Sequence, residues 1–158
     1  MSSTWRKAIA SIGAVVVATL VTPCYAVDTE EDPYTSADPD YAAGRKAIEA
    51  NDWNAAIKHF SSAALRAPDN ADIQSYLGYT HRKAGKLDLA FKYYRRALEL
   101  NPRHRGAHEY IGEAYLVVGD LAGARRHLEA LRGICLLPCE ELGDLEREIA
   151  AYLKKRDG

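Results

Sequence analysis

Charge excess, long apolar runs and chemistry-bearing motifs are all scarce in this sequence. Its 158 residues carry 21 basic and 22 acidic side chains, a formal net charge of −1, so nothing in the balance suggests nucleic acid or an anionic membrane as a partner. No nucleophile–base set, phosphate-cradling glycine loop or pair of catalytic carboxylates can be picked out. That argues against an enzyme and leaves no cofactor or metal site to assign. No strand pattern is present either. The apolar run from Ala8 to Val21 is shorter than the ~20 residues that span a bilayer.

That run has a different meaning. Arg6 and Lys7 precede it, and Cys24-Tyr25-Ala26 follows with small residues where a signal peptidase inspects the chain. Residues 1–26 therefore read as an export signal cleaved after Ala26. A retained anchor is one alternative, and lipidation at Cys24 another, although Pro23 sits where a small unbranched residue is wanted. Removal takes two basic and no acidic residues, leaving 132 residues with a net charge of −3, the size of one domain. The stretch from Val27 to Asp40 holds six carboxylates and no base. Too little of it is apolar to bury, so residues 27–36 read as a flexible acidic leader.

What the chain does have is an internal repeat. Gly44, Gly78 and Gly112 are 34 residues apart, as are Ala56, Ala90 and Ala124; Phe60, Tyr94 and Leu128; and Ala63, Ala97 and Leu131. Pro68 and Pro102 continue the series, which breaks at Leu136. The middle copy resolves into a helix from Asp72 to Ala84, a turn at Gly85-Lys86, and a helix from Leu87 to Leu100 stopped by Asn101-Pro102. Breaks at Asn51-Asp52 and Gly119-Asp120 place the same turn in the other copies. Glycine inside a helix costs about 1 kcal/mol against alanine, so Gly78 and its equivalents mark a close approach of the second helix. Ala56, Ala90 and Ala124 are then its small partners, and Phe60, Tyr94 and Leu128 its large knobs.

In period and in these offsets the chain resembles the tetratricopeptide repeat, or TPR, family. The resemblance implies an all-α, right-handed α-solenoid of three helix pairs, residues 37–70, 71–104 and 105–138, plus a capping helix over 139–158. Departures are visible. Asp40, Gln74 and His108 stand where a large residue is expected, and the usual tyrosine at position eleven survives only as Tyr115, with Ala47 and His81 at its counterparts. In TPR proteins, helix A positions two, five, nine and twelve line a concave groove that binds a protein or peptide. Here they are Asp38, Tyr41, Arg45 and Ile48; Asp72, Ser75, Tyr79 and Arg82; Gly106, Glu109, Glu113 and Leu116. Tyr41, Arg45, Ser75, Tyr79, Arg82, Glu109 and Glu113 are thus the candidate partner-binding residues. The family's lysine–asparagine–arginine clamp for a C-terminal carboxylate is not matched: Tyr41, Arg45 and Tyr76 occupy clamp positions. Capture of an Asp-Glu tail is therefore not expected.

After the signal only Cys135 and Cys139 remain. In an exported protein the pair reads as a disulfide. A loop this small adds about 2 kcal/mol by chain entropy and would fix the angle of the next helix. Two alternatives stay open: a thiol–disulfide exchange pair, although such motifs space their cysteines by two, and a copper or zinc site, although no histidine or methionine follows Cys139. Gly133 suits a left-handed cap to the third helix B. His104 and His108, four apart, read as a solvated pair. From Glu140 to Lys155, Leu142, Leu145, Ile149 and Tyr152 or Leu153 form one apolar stripe of a capping helix. The stretch from His108 to Tyr115, together with Cys135-x3-Cys139-Glu140-Glu141 and Ile149-Ala150-Ala151-Tyr152, looks like a group of small exported bacterial TPR proteins. That likeness implies a periplasmic location, no membrane contact after signal removal, and an adaptor that binds a protein partner. A thiol- or metal-handling accessory is the alternative.

Overall fold

The computed structural model describes residues 37–158; the signal, its cleavage after Ala26 and the 27–36 leader lie outside them. Seven helices follow in order: α1 Pro39–Glu49, α2 Trp53–Arg66, α3 Ala71–Lys83, α4 Leu87–Leu100, α5 Arg105–Val117, α6 Leu121–Ile134 and α7 Glu140–Asp157. No strand occurs among the described residues. Each helix packs on the next, and α3 also meets α5, as α5 meets α7. The result is an all-α solenoid of helix pairs, with α1, α3, α5 and α7 as one row and α2, α4 and α6 as the other.

The 34-residue period extends to single hydrogen bonds. Asn51, Gly85 and Gly119 all take left-handed backbone, with φ of 56°, 76° and 81°. At each, one N–H reaches back three residues and the next reaches back five: Asn51 to Ile48 and Asp52 to Ala47, Gly85 to Arg82 and Lys86 to His81, Gly119 to Leu116 and Asp120 to Tyr115. This paired closure satisfies carbonyls that a helix end leaves open. Asp52, Asn70, His104 and Asp120 then accept a backbone N–H three residues on, starting α2, α3, α5 and α6.

Two of the residues that depart from the family pattern hold turns in place. Gln74 Nε2 donates to the Pro68 carbonyl at 2.9 Å, and His108 Nε2 bonds to the equivalent Pro102 carbonyl at 3.1 Å. Each ties the start of a helix to the turn before it. The same position on α7 is Leu142, which has no donor, and there the Cys135–Cys139 disulfide spans the corresponding turn, with Cα atoms 6.0 Å apart. The expected left-handed cap at Gly133 is corrected: α6 runs on to Ile134, Cys135 caps it, and Gly133 is exposed helix.

The core confirms the glycine–aromatic pairing in two repeats and revises it in the third. A Cβ at Gly44 would stand 2.8 Å from Phe60, and one at Gly78 would run into the Tyr94 ring. At Gly112 the neighbour is Leu145 of α7, at 2.7 Å, and not Leu128. The shorter Leu128 leaves space that the capping helix fills. Leu145 and Ile149 thereby join Leu116, Ala124, Leu128 and Leu131 in one buried cluster.

Candidate functional site

The concave face is built from the α1–α3–α5–α7 row. Spacings of three and four residues bring one stripe of each helix to the same side. On α3 the stripe presents Tyr76 and Tyr79, and α5 adds Tyr110, whose ring is 5.0 Å from that of Tyr79. Tyr76 stacks on Phe60 at 5.1 Å and so is anchored in the core below. Trp53 meets Tyr79 edge-on at 6.2 Å. Cations sit over these rings: Arg45 is 5.9 Å from Tyr76, Arg82 is 5.4 Å from Tyr79, and Lys83 is 5.4 Å from Trp53. Arg45, Ile48, Glu49, Tyr76, Tyr79 and Tyr110 line an open cavity of about 200 Å³.

A second cavity of about 290 Å³ lies beside it toward α7, lined by Asp72, Ser75, Tyr76, His104, Gly106, Glu109, Tyr110, Glu140, Glu141 and Asp144. Tyr76 and Tyr110 belong to both cavities. Three of its carboxylates face basic side chains: Asp72 is 3.0 Å from His104 Nε2, Glu141 is 3.4 Å from Arg105 Nε, and Asp144 meets Arg147. Glu109 is 7% exposed. Burial, then the charges of Glu113, Glu141 and Glu140, pushes its carboxyl up to about 8, against the opposing pull of Arg82.

That shift has a stability consequence. In the unfolded chain the carboxyl loses its proton near its ordinary value, about 4.5, while the folded protein holds the proton to about 8. Stability therefore falls as pH rises through this window and stays lowered above it. Glu109→Gln removes the effect. It should raise the melting temperature at about pH 8–9 by roughly 5 °C, with the gain vanishing near pH 4. Thermal melts of both proteins across that range check it; a pH-independent difference would show that Glu109 does not titrate as described.

The structure separates the sequence-derived candidates. Arg45 and Tyr79 reach the tyrosine cavity; Ser75 and Glu109 line the acidic one. Arg82 and Glu113 are on the groove wall but paired, with Arg82 2.5 Å from Glu113 Oε2 and its Nε donating to the Tyr94 hydroxyl at 3.3 Å. Tyr41 is a correction. It is 1% exposed and packs edge-on against Phe60 and Tyr76, so it is core, because α1 turns this position toward α2 and α3. Asp38 caps α1 and pairs with Arg66 at 2.7 Å. The solvated histidine pair is also corrected: His104 and His108 are each 8% exposed. His104 caps α5, and His108 Nδ1 is 2.9 Å from His127 Nδ1. His108 Nε2–H bonds to the Pro102 carbonyl, so His127 donates to the bare His108 Nδ1. Sequence reasoning placed Tyr76 only at an unmatched clamp position and missed Tyr110, although the two are 34 apart and that spacing could have paired them in the groove. It also missed Glu140 and Glu141, whose convergence on Glu109 depends on how α7 packs.

The sequence model of the tetratricopeptide repeat matches residues 41–102 and 81–135. The chain belongs to the tetratricopeptide-repeat family. Among relatives, TPR repeat-containing protein PA0015 of Pseudomonas aeruginosa is 30% identical over 101 residues, 64% of this chain and 94% of its own length. Two solved TPR structures share the fold at 20% identity. The TPR2B domain of yeast Sti1, in complex with pHsp70, aligns over 74% of this chain and 95% of that domain with a TM-score of 0.67. The first TPR of Spaghetti (RPAP3), bound to the HSP90 peptide SRMEEVD, aligns over 70% and 89% with a TM-score of 0.61.

Proposed function

We propose that this TPR protein is a non-enzymatic adaptor that holds an extended peptide or protein segment in its concave groove. The observation that carries the reading is the continuous Tyr76–Tyr79–Tyr110 surface, flanked by Arg45 and opening into both cavities. Tyrosine and arginine offer wide contact area with directed polar ends, the combination that dominates binding energy at interfaces. The two TPR neighbours that carry a bound Hsp70 or HSP90 partner support the role. They do not indicate the same ligand: SRMEEVD is acidic, whereas this groove ends in carboxylates. Export to the periplasm is part of the proposal, carried by the Arg6–Ala26 segment and consistent with a disulfide. A mature protein from the periplasmic fraction should begin at Val27, which N-terminal sequencing decides.

The groove is tested at Tyr79 and Arg45. Arg82 is unsuitable, because its removal strands Glu113 and the Tyr94 hydroxyl. Tyr79→Ala with Arg45→Ala should weaken binding of a partner recovered by crosslinking from the native compartment by about 2 kcal/mol or more, while melting shifts little. Unchanged affinity would move the binding site to another surface.

A further inference from the structure

We propose that the acidic cavity between α3, α5 and α7 receives the cationic head of a lysine or arginine side chain carried by the bound peptide. The inference rests on the groove reading above and names the chemistry of one contact within it. Asp72, Glu141 and Asp144 have His104, Arg105 and Arg147 opposite them, but Glu109 and Glu140 have no ion-pair partner among the described residues. Two carboxylates are thus left facing a shared space, one of them 7% exposed.

A second, independent feature points to a missing ligand. Ser75 lines the same cavity, is 2% exposed, and its hydroxyl has no hydrogen-bond partner among the described residues. Helical hydroxyls ordinarily bond back to a carbonyl four residues earlier. Ser62 does so to Lys58, and Thr80 to Tyr76; Ser75 does not. A buried polar group left without a partner is costly unless something else supplies one. An ammonium or guanidinium donates several N–H groups and would satisfy the hydroxyl and both carboxylates together.

Size and lining select among cations. At about 290 Å³ the cavity accommodates a side-chain head with water, at the small end of the ~300–1,000 Å³ range of ligand pockets. Among the described residues no three His, Cys, Asp or Glu groups converge as a bound metal ion would require. Tyr76 and Tyr110 supply aromatic walls suited to an organic cation. The same two rings line the tyrosine cavity, so a chain lying there can deliver a side chain directly into the acidic one. A bound cation favours the ionised form of Glu109. Against the facing Glu113, Glu140, Glu141 and Arg82, affinity should therefore rise from neutral pH to about pH 9.

The test uses four acetylated and amidated Ser-Gly peptides that differ only at a central residue: lysine, arginine, acetyllysine or glutamate. Each is titrated into the ¹⁵N-labelled protein, with spermidine and calcium chloride as separate arms. The lysine and arginine peptides are expected to shift the amide signals of Ser75, Glu109 and Glu140, binding at least about tenfold more tightly than the acetyllysine peptide. Glu109→Gln with Glu140→Gln should abolish that preference in a protein that melts no lower than the parent. Equal binding of acetyllysine, or no shift at Ser75 up to about 10 mM peptide, overturns the proposal. So does tighter binding of spermidine than of the lysine peptide, or a response to calcium alone. Shifts at Tyr79 without charge preference would sink the cationic cavity and leave the groove standing. Shifts at Ser75, Glu109 and Glu140 with none at Tyr79 would keep the cavity and remove the groove.

Discussion

Tyr94→Ala is expected to destabilise the protein by about 3–5 kcal/mol, the range for emptying a fully buried aromatic site. Tyr94 is 0% exposed, and its ring rests on the bare backbone of Gly78. Its hydroxyl also accepts from Arg82, so the truncation unlinks the groove wall from the core. The contact makes a sharper claim about Gly78→Ala. In the parent, the added methyl meets the ring and should cost about 1–3 kcal/mol by overpacking. In the Tyr94→Ala background that space is empty, and alanine should instead stabilise through its better helix propensity, by up to about 1 kcal/mol. Denaturant unfolding of the four proteins gives the coupling. A Gly78→Ala effect of the same sign in both backgrounds would show that glycine is not there to admit the ring.

Deleting residues 140–158 should abolish cooperative unfolding or cause aggregation. α7 does more than cover an end. Leu145 fills the gap at Gly112, and Leu145 and Ile149 complete the cluster with Leu116, Ala124, Leu128 and Leu131. Without them the third pair exposes an apolar face that a stacked repeat cannot leave open. Leu145→Ala is the finer probe, expected to cost about 2–5 kcal/mol. Calorimetry and light scattering on both variants check this; a truncated chain that stays monomeric with an unchanged midpoint would show that α7 is dispensable. Loss of Cys135–Cys139 alone should be milder, about 2 kcal/mol, because packing still holds α7.

The gap between those two effects follows from what each residue contacts, and so does the line between sequence and structure. The 34-residue period, the glycine–aromatic pairing of the first two repeats and the turns at Asn51, Gly85 and Gly119 were legible in the sequence. They arise from helix geometry and from neighbours within one repeat, so spacing alone specifies them. The family's inner stripe placed Arg45, Tyr79 and Glu109 on the groove for the same reason. Tertiary structure decided the rest. Tyr41 went to the core because α2 and α3 close over it. Leu145 displaced Leu128 from Gly112 because a helix beyond the repeats reaches further than a short side chain within them. The acidic cavity gathers Asp72, Ser75, Glu109 and Glu140 from three helices, and no local spacing brings positions that far apart in the chain together. Only the stacking angle of α7 on α5 does that, and with it the burial that leaves the Ser75 hydroxyl without a hydrogen-bond partner among the described residues and Glu109 holding a proton.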